Sequence, residues 1–199
     1  MEKIALIIID WQKGFDDYVY WGGNRNNPNA EKNSGLILDR WRALKLPIFH
    51  VKHNSTNPKS KLAPGQTGNE IIDIVKPLKG EPLIEKNVNS AFIGTDLKQR
   101  LDEQQIRSLV IIGIQTDHCV STTARMAGNL GYDTIVVSDA TATFDRVSPG
   151  GEKIPSALIH QVNLTSLNNE FATVLTTQEL LKKPELNAST ANERQGQFS

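Results

Sequence analysis

Six consecutive apolar residues, Ile4-Ala-Leu-Ile-Ile-Ile9, stand near the start of this chain and are closed by Asp10. A strand with one wet face alternates apolar and polar residues. A strand that is apolar at every position is buried on both faces, as in a parallel sheet covered by helices on each side. The same theme recurs along the chain. Residues 47–53, 82–86, 107–114, 132–138 and 171–175 read as further strands. Helical patterns fall between them at 30–44, 95–104, 117–130 and 155–167, with a last turn at 178–182 and a short helix predicted at 69–75. Residues 11–29 and 54–67 read as loops. Six strands alternating with helices predict an α/β chain with right-handed crossovers and a mostly parallel sheet covered on both faces. The 199 residues suit one domain, placed at 1–183. The polar segment 184–199 reads as a disordered tail.

Composition excludes several function classes. Twenty-two basic and 22 acidic side chains leave no net charge. The chain therefore lacks the basic footprint of a nucleic-acid or anionic-membrane binder. A single cysteine, Cys119, excludes an intrachain disulfide and a multi-cysteine metal cluster within one chain. The apolar run before Asp10 is too short for a signal peptide, and no run reaches the roughly 18 residues of a spanning helix. A cytoplasmic location is expected.

In an open α/β sheet, ligands sit beyond the carboxyl ends of the strands, where the strand order reverses. The residues to weigh are therefore those just past strand ends. Cys119 lies in Gly113-Ile-Gln-Thr-Asp-His-Cys-Val120, where a strand turns into a helix. Helix-terminal amides favour a thiolate and could hold an oxyanion, although a buried cysteine is as often an inert core residue. Asp10 could act as a general base or merely cap a turn. Lys86 could support negative charge or simply be solvated. The histidines do not form an evident metal set: His50 and His53 point to opposite faces of one strand, and His160 is mid-helix. His118-Cys119-x5-Arg125 also satisfies the pattern of cysteine-dependent phosphatases, but the loop has no glycine to wrap a phosphate.

Taken together, Asp10-Trp-Gln-Lys-Gly-Phe15, Glu85-Lys86, Ser90-Ala-Phe-Ile-Gly-Thr95, Gly113–Val120, Thr123-Ala-Arg125 and Ser138-Asp139-Ala140 resemble the isochorismatase-like cysteine hydrolases over roughly residues 3–181. The resemblance implies a three-layer α/β/α sandwich with strand order 3-2-1-4-5-6 and a catalytic triad of Asp10, Lys86 and Cys119. It implies a cis peptide at 114–115 and an oxyanion hole made by the backbone N–H groups of Gln115 and Cys119. The implied reaction is hydrolysis of a C–N bond in a small amide or ureide through a thioester on Cys119, and the implied assembly is a homodimer or homotetramer. Gln12, Phe15, Phe92 and His118 are candidate substrate contacts, and Tyr18, Tyr20 and Trp21 are candidates to cover the site.

The alternatives are a vinyl-ether hydrolase of the isochorismatase type, which does not depend on a nucleophilic cysteine, the phosphatase reading with Arg125, and a catalytically silent binding protein of the same fold. Nicotinamidases of this superfamily carry an Asp-x-His metal pattern after the second strand. Lys52-His53-Asn54-Ser55 stands there instead. No metal and no other cofactor is therefore expected.

Overall fold

The structure, a computed structural model, describes residues 3–187. The run that opens the chain forms β1 (Ile4–Ile9), with no residue more than 6% exposed. Its side chains alternate between two separate cores. Ile4, Leu6 and Ile8 join α2 (Ala30–Ala43) through Ile37, Leu38 and Trp41. Ala5, Ile7 and Ile9 face the opposite layer. That layer brings in α3 (Leu97–Glu103) through Leu97 and Leu101, α4 (Ser121–Asn129) through Ala124 and Ala127, and α5 (Ser156–Leu167) through Leu164 and Leu167. An all-apolar strand is thus the common wall of two cores, and the chain is an α/β/α sandwich.

β1 pairs in parallel with β2 (Ile48–His53) on one side and β4 (Ser108–Ile114) on the other. Beyond them lie β3 (Leu83–Lys86) and β5 (Asp133–Ala142). A short antiparallel hairpin, β6 (Arg146–Val147) with β7 (Lys153–Ile154), precedes α5. The sixth strand of the main sheet is therefore β8 (Thr173–Leu175), and the sheet runs β3-β2-β1-β4-β5-β8. Strands are added leftward after β1 and rightward from β4, so the order reverses between these two neighbours.

Several local expectations need correction. The short helix predicted at 69–75 is absent, and two 3-10 turns, Thr67–Asn69 and Asp73–Val75, stand there. The loop at 11–29 contains a 3-10 turn, Lys13–Asp16, and a four-residue helix α1 (Tyr18–Trp21). After α6 (Thr177–Leu181), closed at its start by a Thr176–Glu179 capping box, the chain continues past residue 183 into α7 (Pro184–Asn187). Leu186 is fully buried there, so an apolar side chain fixes the start of the segment read as tail. Residues 188–199 lie outside the described residues. No helix among the described residues is long and apolar enough to cross a membrane.

The junction of β1 and β4 is tight where the site begins. Gly113 pairs with Ile9 and has φ of 133°. A Cβ there would lie 2.1 Å from the Ile9 carbonyl oxygen. The β4–β5 register also shifts between Ile111 and Gly113. Gly113→Ala should therefore cost about 3 kcal/mol or more, combining a disfavoured backbone region with a backbone clash. Urea unfolding of the variant checks this, and a loss under about 1 kcal/mol would contradict it.

Candidate active site

Three strand ends deliver the polar groups. Asp10 follows β1 with φ of 53° and is fully buried. Aspartate is one of the few side chains that tolerates this left-handed region, and the bend turns its carboxylate off the strand line. Lys86 ends β3, directly opposite His53 at the end of β2. Cys119 lies in a wide helical turn, Thr116–Val120, between β4 and α4. Val120 N–H reaches back five residues to the Gln115 carbonyl at 3.2 Å. The helix expected from residue 117 therefore opens as a π-turn, a form often found at functional sites. The Ile114–Gln115 peptide preceding it is cis.

These ends converge on one ammonium group. Lys86 Nζ lies 2.7 Å from Asp10 Oδ2, 3.3 Å from Cys119 Sγ and 3.2 Å from His53 Nδ1. An ammonium has three N–H donors and no acceptor, so these three partners use them all. Lys86 is 3% exposed, and the lysine–aspartate pair is therefore a buried ion pair.

Burial, followed by the Asp10 charge, pushes the Cys119 thiol well above its usual range, while Lys86 pulls the other way. The resting group at neutral pH is a thiol. Burial opposes the charge on Lys86, but Asp10 and Cys119 together raise it above the ordinary lysine value. Burial and then the Lys86 charge lower His53, so its ring is neutral at neutral pH.

The thiol opens into a cleft of about 90 Å³. Phe15, Trp21 and Leu62 form its apolar wall, and Asn89, Gln115 and His118 its polar one. Asn89 Oδ1 lies 3.8 Å from Cys119 Sγ. Two candidate contacts, Phe15 and His118, thus border the cleft, and two do not. Gln12 is 1% exposed and spends its carboxamide on the backbone: Nε2 donates to the carbonyls of His53 and Asn69, and Oε1 accepts from His53 N–H. Phe92 stacks on Tyr132 with ring centroids 5.8 Å apart. Of the aromatic residues expected over the site, only Trp21 borders the cleft.

The sequence reading places His53 among the strand-end residues but gives it no role at the site, and it misses Asn89. His53 stood at a strand end, but its partner is 33 residues away and only strand register brings them together. Arg125 does not form a phosphate clamp. Its guanidinium bonds Ser121 and Ser166 and stacks on Phe171, away from the thiol.

Asp10, His53 and Cys119 offer donor atoms that all lie within 4.8 Å of one another, a set that could hold a metal. The Lys86 ammonium already lies against each of them, however, and a second cation would meet its charge at close range. This centre does not fit a metal while Lys86 is charged. Of the three remaining histidines, His50 bonds Glu81 at 2.8 Å, His160 bonds Thr116 at 2.8 Å, and His118 borders the cleft.

A thiol, a carboxylate and an ammonium at the switch point of a parallel sheet are the groups of a cysteine-dependent hydrolase. The isochorismatase domain matches residues 4–179, and the chain belongs to that family of isochorismatase-like cysteine hydrolases. It is 47% identical to the uncharacterized isochorismatase family protein YrdC of Bacillus subtilis, over 90% of this chain and 95% of that one. It is 32% identical to the ureidoacrylate amidohydrolase RutB of Cronobacter turicensis, over 70% of this chain and 55% of that one. The crystal structure of an isochorismatase-family protein from Chromobacterium violaceum superposes with a TM-score of 0.87, at 36% identity and 94% coverage of both chains.

Removing one partner of a buried pair strands the other charge. Lys86→Met should cost about 3–5 kcal/mol at neutral pH, and adding Asp10→Asn should recover a large part of that loss. Chemical denaturation of Lys86→Met, Asp10→Asn and the double variant checks this, and losses that simply add would show that the pair is not coupled.

Proposed function

We propose that this hydrolase cleaves a C–N bond in a small amide or ureide, with Cys119 as nucleophile, Asp10 as general base and Lys86 as electrostatic support. The observation that carries the reading is the Lys86 ammonium bridging the Asp10 carboxylate and the Cys119 sulfur at the floor of a small cleft. A buried thiol is a poor nucleophile until its proton leaves. Asp10 is the adjoining acceptor, and Lys86 stabilises the thiolate as it forms. The cleft, near 90 Å³ in this form, suits a substrate of few heavy atoms.

In the first half-reaction Asp10 takes the thiol proton as Sγ bonds the substrate carbonyl carbon. The carbonyl oxygen becomes an oxyanion, received by the backbone N–H groups of Gln115 and Cys119. Collapse breaks the C–N bond, and Asp10 gives its proton to the departing nitrogen. In the second half, Asp10 deprotonates a water molecule that attacks the thioester. The C–S bond breaks and the proton returns to Sγ. The net change is consumption of one water and release of an acid and an amine or ammonia. The name of the RutB relative, an amidohydrolase, points the same way.

A panel of small amides and ureides scored by ammonia release tests this reading. Cys119→Ala should lower turnover by about 10⁴-fold or more, with its unfolding midpoint close to that of the parent. Full activity in that variant would end the thiol mechanism. Exhaustive chelation should leave turnover unchanged, and an activity lost to chelator and restored by zinc would contradict the metal-free reading. Phosphate release from an aryl phosphate that depends on Arg125 would favour the phosphatase reading instead.

A further inference from the structure

We propose that His53 is the positioning residue for Lys86, the acceptor that stays chemically unchanged while Asp10 and Cys119 gain and lose a proton or an acyl group. The inference rests on the thiol reading above and adds a residue to it. Lysine can only donate, so His53 Nδ1, at 3.2 Å, must present its lone pair to Lys86, and the ring proton must sit on Nε2.

The backbone of His53 is gripped in turn. The Gln12 carboxamide accepts from its N–H at 2.8 Å and donates to its carbonyl at 3.0 Å, and Asn69 Nδ2 donates to the same carbonyl at 3.0 Å. Gln12 is 1% exposed and Asn69 4% exposed, so this clamp is built into the interior rather than into a loose surface loop.

The need for such a residue follows from the reaction. In the free enzyme Lys86 has three acceptors. Once Cys119 carries an acyl group its sulfur is a weak acceptor, and when Asp10 carries the proton it no longer offers a full charge. His53 takes no part in either bond change. In the acyl-enzyme Asp10 is a carboxylate again but the sulfur is a weak acceptor, and His53 is the second firm partner that holds the ammonium on Asp10 until water attacks. Loss of His53 should therefore slow thioester hydrolysis more than thioester formation.

The test uses 4-nitrophenyl acetate in rapid-mixing kinetics, with intact-mass analysis of the quenched protein. Sγ takes the acetyl group as nitrophenolate leaves, the thiol proton passes through Asp10 to solvent, and the Asp10 carboxylate then deprotonates the water that releases acetate. His53→Leu should keep the nitrophenolate burst within about threefold of the parent while its steady-state rate falls about 10- to 100-fold. kcat and KM should fall together, and acetylated Cys119 should become the dominant form. His53→Asn and His53→Gln, which retain an acceptor that does not titrate, should recover at least part of the steady-state rate. A burst and steady state reduced by the same factor, or no recovery in the two amide variants, would overturn the proposal. If the parent enzyme places no acetyl group on Cys119, the thiol reading itself fails, which is a distinct result from an acylated parent with an indifferent His53.

Discussion

The site depends on one buried cation. Lys86 brings a full positive charge to a place from which water is almost excluded, and such a charge is tolerable only where its hydrogen-bond donors are met and its field is balanced. Asp10 supplies the counter-charge, while Cys119 and His53 supply the other two acceptors. The arrangement has a chemical corollary. The same field that makes Lys86 comfortable opposes spontaneous ionisation of the thiol, because Asp10 and burial outweigh the lysine at Cys119. A thiol kept protonated at rest is protected from adventitious oxidation and alkylation, which favour thiolates. Reactivity then has to be produced by proton transfer to the carboxylate at the moment of attack.

Bringing those groups together is the work of topology. Asp10 and Cys119 come from β1 and the end of β4, which are neighbours only because the sheet order reverses between them. Lys86 arrives from the edge strand β3, through the register that sets it opposite His53. Gly113 lets the β4 backbone press against Ile9, and the register shift between Ile111 and Gly113 sets the end of β4 opposite Thr141 and Ala142 of β5. The turn that carries Cys119 starts just past this shifted end.

Much of this was legible in the sequence because local patterns dictated it. The all-apolar run Ile4–Ile9 required burial on both faces, and its termination at Asp10 marked the rim of the sheet. The strand-to-helix change around Cys119 was visible in the same way. What escaped was set by long-range contacts. His53 stood out only as a strand-end residue, and it took register to place it on Lys86. Gln12 looked like a substrate contact, yet its carboxamide is spent on the His53 backbone. Two-residue strands such as β6 and β7 are too short to carry a periodic signal. At 69–75 the helical spacing of apolar residues lost to turns that hand Asn69 to the Gln12–His53 clamp and Val75 to the core.

The split of β1 between two cores has a consequence beyond packing. A strand that slips by one residue exchanges its faces, and with every position of β1 apolar neither core would reject the exchanged set on polarity alone. The end of the strand is not so forgiving. A slip of one residue moves Asp10 by about 3.3 Å along the strand direction, more than its 2.7 Å bond to Lys86 could survive. The buried ion pair thus acts as a checksum on the central strand, read out in the same atoms that carry the proton.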